Sequence, residues 1–228
     1  RLKKNNIALY RGSSQNVLSR FFNCAKKNKF KNIIRITADC PLIDYKILAK
    51  TIDLFEEKRL DYASNTMPPT YPDGLDVEVF TFETLKKAYE NAKISHDIEH
   101  VTPYIRKNNF FKKGNLANKE NNSNLRWTLD EPKDLIFLKE LNKKINIVNA
   151  DYNNILKNLK KFPKISKINS DIERNEGSKI GHVNCLSKNE YKTFLQNYFD
   201  NVFVFGMNDE VLHTGYGAMS HYLLALCT

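Results

Sequence analysis

Short apolar runs alternate with segments of helical periodicity along the first two-thirds of the chain. The run IIRIT at 33–37 is apolar on successive positions, which is typical of a strand buried on both faces of a parallel sheet. LDVEVF at 75–80 instead alternates between apolar and acidic residues, as a strand with one polar face does. Together with the turn signals between them, these patterns predict strands at 6–12, 33–37, 61–65, 75–80 and 126–130.

Between these strands, apolar residues recur every three or four positions, as in amphipathic helices. Ser13 or Ser14 is expected to cap the first helix and Asp44 the second, because short polar side chains accept hydrogen bonds from first-turn N–H groups. Further helices are predicted over 81–92, over 97–107 and from Pro132 onward. Alternating strands and helices predict an α/β domain with a largely parallel sheet and helices on both faces. Its ligand side is expected at the carboxyl ends of the strands.

The pattern fades in the polar segment 164–179, and a domain boundary is expected near 175–178. We therefore divide the chain into a domain at 1–176 and a tail at 177–228. The tail is predicted to contain a helix at 188–198 and an antiparallel pair of strands at 202–207 and 221–227. About 50 residues bury too little surface to fold without a partner.

The chain carries a formal net charge of +10, with lysines dispersed among helices and turns. Dispersed lysines favour a solvated surface over a nucleic-acid groove, which would cluster its cations with stacking aromatic residues. A positive field also suits an anionic small molecule such as a nucleoside triphosphate. The four scattered cysteines favour reduced thiols and a cytoplasmic protein, and no apolar run is long enough to predict a membrane span.

Two aspartates at predicted strand ends are candidate metal ligands. Asp39 follows the run at 33–37, and Asp130 ends the predicted strand at 126–130. Carboxylates at one sheet edge can hold Mg²⁺, with phosphate oxygens and water as the remaining ligands. The alternative is that each aspartate only caps the helix that follows it, although Asp44 is better placed to cap the helix after Asp39.

The segment TYPDGLDVEVF contributes further candidates. Gly74 permits a tight bend, and the acids of this segment are Asp73, Asp76 and Glu78. Strand alternation places Asp76 and Glu78 on one face, where they bind sugar hydroxyls or simply face solvent.

Three residues outside this segment are also candidates. His100 is a candidate substrate contact or base, or a structural residue. Asn65 ends a predicted strand beside the expected pocket. Arg126 is a candidate for binding a phosphate or sugar carboxylate, or for a surface salt bridge.

Five motifs occur in the order RITADCPLID, DYASNT, TYPDGLDVEVF, EHVTPYI and LRWTLDEPKDL. Together they resemble the cytidylyltransferase family of the spore-coat polysaccharide and acylneuraminate type, over residues 7–176. The resemblance implies a Rossmann-like nucleotide-diphospho-sugar transferase fold. It also implies transfer of CMP from CTP to an acidic or modified sugar, with release of pyrophosphate, in surface-glycan biosynthesis. Asp39 and Asp130 match the family's metal aspartates, and the acids of the third motif match its acceptor pocket.

The family's amino-terminal nucleotide loop has no counterpart in this sequence, which starts at Arg1. We therefore expect a truncated domain whose incomplete sheet exposes an apolar edge. The tail resembles the carboxyl end of class I S-adenosylmethionine-dependent methyltransferases. The alternatives to a cytidylyltransferase are thus a non-catalytic binding or assembly remnant and, less favoured, a methyltransferase. A homodimer is left open.

Overall fold

The computed structural model describes residues 8–172 and 174, together with the backbone of three strands in the tail. The helices are α1 (Val17–Asn28), α2 (Tyr45–Glu57), α3 (Phe82–Asn91), α4 (Ser95–His100), α5 (Pro103–Lys107), α6 (Pro132–Asn142), α7 (Tyr152–Lys161) and α8 (Pro163–Ser166). The strands are β1 (Asn32–Arg35), β2 (Tyr62–Ser64), β3 (Glu78–Thr81), β4 (Lys113–Asn115), β5 (Val202–Asn208), β6 (Val211–His213) and β7 (Tyr222–Cys227).

The first four strands form a mixed sheet in the order β1-β3-β2-β4. Strand β3 runs antiparallel to both of its neighbours, and β2 is parallel to β4. Strands β1, β2 and β4 therefore point in one direction, with β3 inserted against them. The predicted α/β class is confirmed, although only one adjacent pair in this sheet is parallel.

Two predicted strands are wrong. Residues 8–12 of the segment 6–12 do not join the sheet, and Leu9 there is 43% exposed. Residues 126–130 contribute one isolated bridge, between Asp73 and Arg126, because the next residues direct their hydrogen bonds to the turn after β1. Strand β4 was not predicted, since its sequence KGN has no apolar pattern.

Both helices with a predicted cap are capped by a polar side chain, but the cap of α1 lies at a different residue from the predicted one. Asn16, rather than Ser13 or Ser14, caps α1 by accepting a hydrogen bond from the N–H of Ser19. Asp44 caps α2 as predicted. The predicted helix at 97–107 is divided into α4 and α5, because Val101 adopts a φ of 70° and Pro103 starts a new first turn.

Helices cover both faces of the sheet, as predicted. Helix α2 packs through Phe55 against Val77 and Val79 on one face. On the other face, α1, α3 and α5 enclose Tyr62 and Phe80. A further core surrounds Trp127 and includes residues of the loop before β3 and of α6 and α7.

Strand β1 lies at one edge of the described four-stranded sheet. Ile34 in this strand and Ile36 just after it are 45% and 40% exposed. Ile34 pairs in register with Val79, and α2 covers Val79 but leaves Ile34 open. The uncovered patch therefore extends the face on which α2 lies.

In the tail, β6, β5 and β7 form an antiparallel sheet in that order. The predicted antiparallel pair is confirmed as β5 and β7, and β6 is an additional short strand. The predicted helix at 188–198 lies outside the described residues. Among the helices that the structure describes, none is long and apolar enough to cross a membrane.

Candidate functional site

Asp39 and Asp130 lie on chain segments that are hydrogen-bonded to each other. Asp39 sits in the turn after β1, and its main-chain oxygen accepts from the N–H of Leu129 at 2.8 Å and from Oγ1 of Thr128 at 3.0 Å. The pKa of Asp130 is raised by partial burial and then by the negative charge of Asp39, and is lowered by Arg126. The structure thus brings the two predicted metal candidates together.

Arg126 lies among three carboxylates of the same site. Its Nη2 donates to Asp130 Oδ2 at 3.1 Å and to Asp134 Oδ2 at 2.9 Å. Its Nε donates to Asp134 Oδ1 at 3.0 Å, and its Nη1 donates to Asp73 Oδ2 at 3.2 Å. Only 7% of the Arg126 side chain is exposed. The guanidinium therefore forms a buried ion-pair network, rather than the surface salt bridge that the sequence offered as the alternative to ligand binding.

Asp134 is the anchor of this network and is completely buried. Besides Arg126, its carboxylate accepts from the N–H groups of Asp130 and Glu131 and from the amide of Asn169. Burial alone would raise the pKa of Asp134, but these hydrogen bonds outweigh it and the pKa lies below its usual range. The carboxylate thus ties the start of α6 to Arg126.

Gly74 makes the close approach between the 71–76 loop and the segment that leads to Asp130. Its φ is +95°, and a Cβ at this position would lie 2.5 Å from the N of Thr128. The bend predicted from the sequence is confirmed, and it needs glycine for two independent reasons.

Asp73 and Asp76 on this loop share a second arginine, Arg174. Arg174 Nη2 lies 2.6 Å from Asp76 Oδ1, and its Nε lies 3.6 Å from Asp73 Oδ1. Burial raises the pKa of Asp76 to about 6, and Arg174 opposes this rise. The pKa of Asp73 is also raised by burial, against the opposing charges of Arg174 and Arg126.

A polar cavity of about 300 Å³ opens between the two arginines. Its lining contains two arginines, one acid, three hydroxyl or amide side chains and two apolar residues, namely Arg126, Arg174, Asp73, Ser123, Asn124, Ser170, Leu125 and Ile172. This cavity can accept a polar ligand with several hydroxyl groups.

Glu78 does not line this cavity. It is 5% exposed, and its carboxylate accepts from Arg35 Nη1 at 2.5 Å and from the hydroxyls of Tyr62 and Thr102, each at 2.6 Å. Val77 and Val79 face α2, so the predicted alternation is confirmed for these three residues. The predicted solvated face is wrong at Glu78, because the carboxylate lies inside a hydrogen-bonded network.

The two remaining candidates lie in different surroundings. Asn65 is 1% exposed, and its amide group bonds to the main chain of Leu75 at 2.7 Å and of Val77 at 2.9 Å. It therefore fixes the entry to β3. His100 ends α4, with its ring centroid 4.6 Å from that of His96.

Mg²⁺ fits the donors that Asp39 and Asp130 present, since hard divalent cations prefer carboxylate oxygens. Within 8–172 and 174, no group of three or more His, Cys, Asp or Glu residues is arranged to hold a metal. Two carboxylates would therefore need oxygen ligands from a substrate and from water.

Sequence reasoning missed the residues that support the acids rather than the acids themselves. Asp134 was not among the candidates, although an acid three residues after Glu131 matches a capping box. Thr128, Asn169 and Arg174 gave no recognisable signal. Each acts through a contact that spans at least 40 residues of sequence.

Comparison with known proteins agrees with this geometry. The family model described as cytidylyltransferase matches residues 4–169. The chain is 37% identical over 171 residues to the uncharacterized protein MJ1063 of Methanocaldococcus jannaschii, covering 74% of this chain and 69% of that protein. It superposes with a TM-score of 0.71 and 32% identity on a cytidylyltransferase from Leptospira borgpetersenii serovar Hardjo-bovis, covering 76% of this chain and 74% of that one. The chain therefore belongs to the cytidylyltransferase family.

Proposed function

We propose that this chain transfers CMP from CTP to a hydroxyl group of an acidic or modified sugar. The five sequence motifs favour the spore-coat polysaccharide and acylneuraminate type within the family that the comparisons establish. In the reaction, the sugar oxygen forms a bond to the α-phosphorus while the bond from that phosphorus to the bridging oxygen of the β-phosphate breaks. Pyrophosphate leaves with the bonding electrons, and the sugar hydroxyl gives its proton to water.

The observation that carries this proposal is the hydrogen bonding of Thr128 and Leu129 to the Asp39 carbonyl. It supports a shared site for Asp39 and Asp130, which lie far apart in sequence. Two adjacent carboxylates repel each other, and a divalent cation between them relieves that repulsion. Burial raises the pKa of Asp130 and the negative charge of Asp39 raises it further, which places the two carboxylates within electrostatic reach of each other.

We assign Mg²⁺ to Asp39 and Asp130. When bound, the ion would supply Lewis-acid stabilisation of the phosphate oxygens. The chain itself positions the reactants, which is the main requirement in phosphoryl transfer. Asp39 and Asp130 define the nucleotide end of the site.

The sugar is assigned to the side of Asp73 and Asp76. Arg126 contacts Asp130 through Nη2 and Asp73 through Nη1, so the nucleotide end and the acidic loop are separated by one guanidinium. The cavity beside Asp73 is lined by hydroxyl and amide side chains, which suits a hydroxylated sugar. His100 is retained as a candidate substrate contact. The contacts of Glu78 and Asn65 favour structural roles for both.

The test is pyrophosphate release by the purified chain with CTP, Mg²⁺ and a panel of acidic and neutral sugars. We expect release with CTP and an acidic sugar, and none with ATP, without Mg²⁺ or with the Asp39→Asn variant. Calorimetric titration with CTP and Mg²⁺ separates an inactive binding module, which would bind CTP without turnover, from a chain that binds no nucleotide.

Two further experiments test the expected lack of the amino-terminal nucleotide loop and the resemblance of the tail to methyltransferases. If the chain alone is silent, the same assay is repeated on a fusion that carries the family's amino-terminal nucleotide loop. Silence in both forms would refute the proposed activity. Titration with S-adenosylmethionine tests the methyltransferase alternative for the tail, and we expect no heat of binding.

A further inference from the structure

We propose that Arg126 and Thr128 are positioning residues that set the separation between the Asp39 and Asp130 carboxylates. This inference rests on the proposed function, because it assigns a role toward the divalent cation of that site. Neither residue needs to touch the cation or the substrates.

Both residues act on the same oxygen of Asp130. Oδ2 lies 3.1 Å from Arg126 Nη2 and 3.3 Å from Thr128 Oγ1. Oδ1 of Asp130 accepts no hydrogen bond from the part of the chain that the structure describes, and 47% of this side chain is exposed. One oxygen is therefore held by the chain while the other remains available to a ligand.

Thr128 connects this held oxygen to the second acid. Its Oγ1 also lies 3.0 Å from the main-chain oxygen of Asp39. A hydroxyl group has a single proton, so Thr128 shares it between the two acceptors. The same side chain thus contacts both acid-bearing segments and is only 3% exposed.

Arg126 is itself fixed on its remaining sides. Asp134 accepts from Nε and Nη2, Asp73 accepts from Nη1, and Asn169 donates to both the Arg126 carbonyl and Asp134. A planar guanidinium can donate hydrogen bonds to three carboxylates in fixed directions. A lysine ammonium keeps the charge but cannot reproduce this arrangement of donors. The position of Asp130 therefore depends on the shape of this side chain.

Positioning and simple electrostatics make opposite predictions for metal affinity. If Arg126 only contributes charge, its removal takes a cation away from a cation site and should tighten metal binding. If Arg126 positions Asp130, its replacement should weaken metal binding, even when the charge is kept. Residues that orient metal ligands in this way typically contribute about 10- to 100-fold in affinity.

The experiment measures Mn²⁺ binding to the full chain in the presence of CTP, by electron paramagnetic resonance of free Mn²⁺. We expect Arg126→Lys and Thr128→Val to weaken binding by about 10- to 100-fold. Thr128→Ser, which keeps the hydroxyl, should bind close to wild type. Lys133→Gln is the charge control, because it removes a cation from the first turn of α6, close in sequence to Asp130, where Lys133 forms an exposed pair with Asp171.

Unchanged or tighter Mn²⁺ binding in Arg126→Lys and Thr128→Val would overturn the positioning role. Circular dichroism checks that each variant is folded, and if Arg126→Lys is not, Thr128→Val decides alone because it alters no charge. A wild-type chain that binds no Mn²⁺ would instead remove the metal site of the proposed function, and this inference with it. The two failures are therefore distinguishable.

Discussion

The hydroxyl of Thr128 lies 3.0 Å from the main-chain oxygen of Asp39, a contact that spans 89 residues of sequence. The neighbouring N–H of Leu129 reaches the same oxygen at 2.8 Å. These two bonds replace the sheet ladder that residues 126–130 were expected to join. Residues 128 and 129 therefore do not pair with a strand, and their bonds hold Asp130 near the turn that carries Asp39.

Removing either acid should abolish most of the proposed activity. We expect Asp39→Asn and Asp130→Asn each to lower kcat for pyrophosphate release by at least about 100-fold, because each removes an anionic ligand of one cation. The double variant should lose little more than either single variant, since residues that act as a unit are not additive. Steady-state kinetics at saturating Mg²⁺ measure all three.

Asp53→Asn is the matched control, because it removes an exposed carboxylate from α2. Its kcat should remain near that of the wild type. If the Asp39 and Asp130 variants kept wild-type rates while folded, the shared metal site would be wrong.

Gly74 should tolerate no side chain. In Gly74→Ala the new Cβ would meet the backbone of Trp127 and Thr128 at 2.5–2.6 Å, at a φ of +95° that L residues rarely adopt. Positions of this kind cost about 1–3 kcal/mol, and here the backbone contact adds to the strain. We expect a lower free energy of unfolding in urea, together with weaker Mn²⁺ binding because the Thr128 segment is displaced.

Gly12→Ala provides the comparison. Its Cβ would approach the flexible side chain of Arg20 at 3.1 Å, and Gly12 is exposed. Its unfolding free energy should change by less than about 0.5 kcal/mol. An equal loss in the two variants would show that the Gly74 contact has no special role.

Much of the fold could be predicted because local pattern and burial agree. Asp44 precedes an amphipathic run and caps α2, and Trp127 lies in the core as its size favours. Residues 126–130 misled the prediction, because an extended apolar segment looks the same whether its hydrogen bonds form a ladder or reach a turn. Strand β4 could not be predicted, because KGN pairs with β2 through its backbone and has no apolar or alternating residues.

The site could be predicted only in part, and for a related reason. Carboxylates at the ends of apolar runs are visible in sequence, so Asp39 and Asp130 were identified. What surrounds a carboxylate is set by tertiary contacts, and sequence reasoning therefore could not separate Asp76, which is half-buried beside Arg174, from Glu78 inside the core. Two acidic residues of one alternating segment thus lie in two different environments.

Glu78 should contribute to stability rather than to sugar affinity. In Glu78→Gln the carboxylate partner of Arg35 is lost, and Arg35 Nε is already buried without a hydrogen-bond partner in the described structure. Breaking such a pair leaves a poorly compensated buried charge, so we expect a loss of about 2–4 kcal/mol in unfolding free energy. Urea denaturation measures it, with the exposed Glu57→Gln as the control.

The kinetic readout separates the two roles of Glu78. A structural role predicts that the folded fraction of Glu78→Gln keeps a KM for the sugar near the wild-type value. A rise in KM without any loss of stability would instead return Glu78 to the acceptor pocket.

Asp76 should make the stability of the domain depend on pH in a window from about 4 to 6. Burial raises its pKa to about 6 from the 3.8 of an exposed aspartate, so between these values the folded state binds more protons than the unfolded chain. The favourable contribution of Asp76 is therefore complete below about pH 4 and is lost as the pH rises through 6. Asp76→Asn has no such titration. We expect the melting temperature of the wild type, relative to this variant, to be higher at pH 4 than at pH 7.

Arg174→Gln should extend the window to higher pH, because Arg174 holds the pKa of Asp76 down. A wild-type minus Asp76→Asn difference that stays constant across the window would contradict the assignment, and so would a difference that increases with pH.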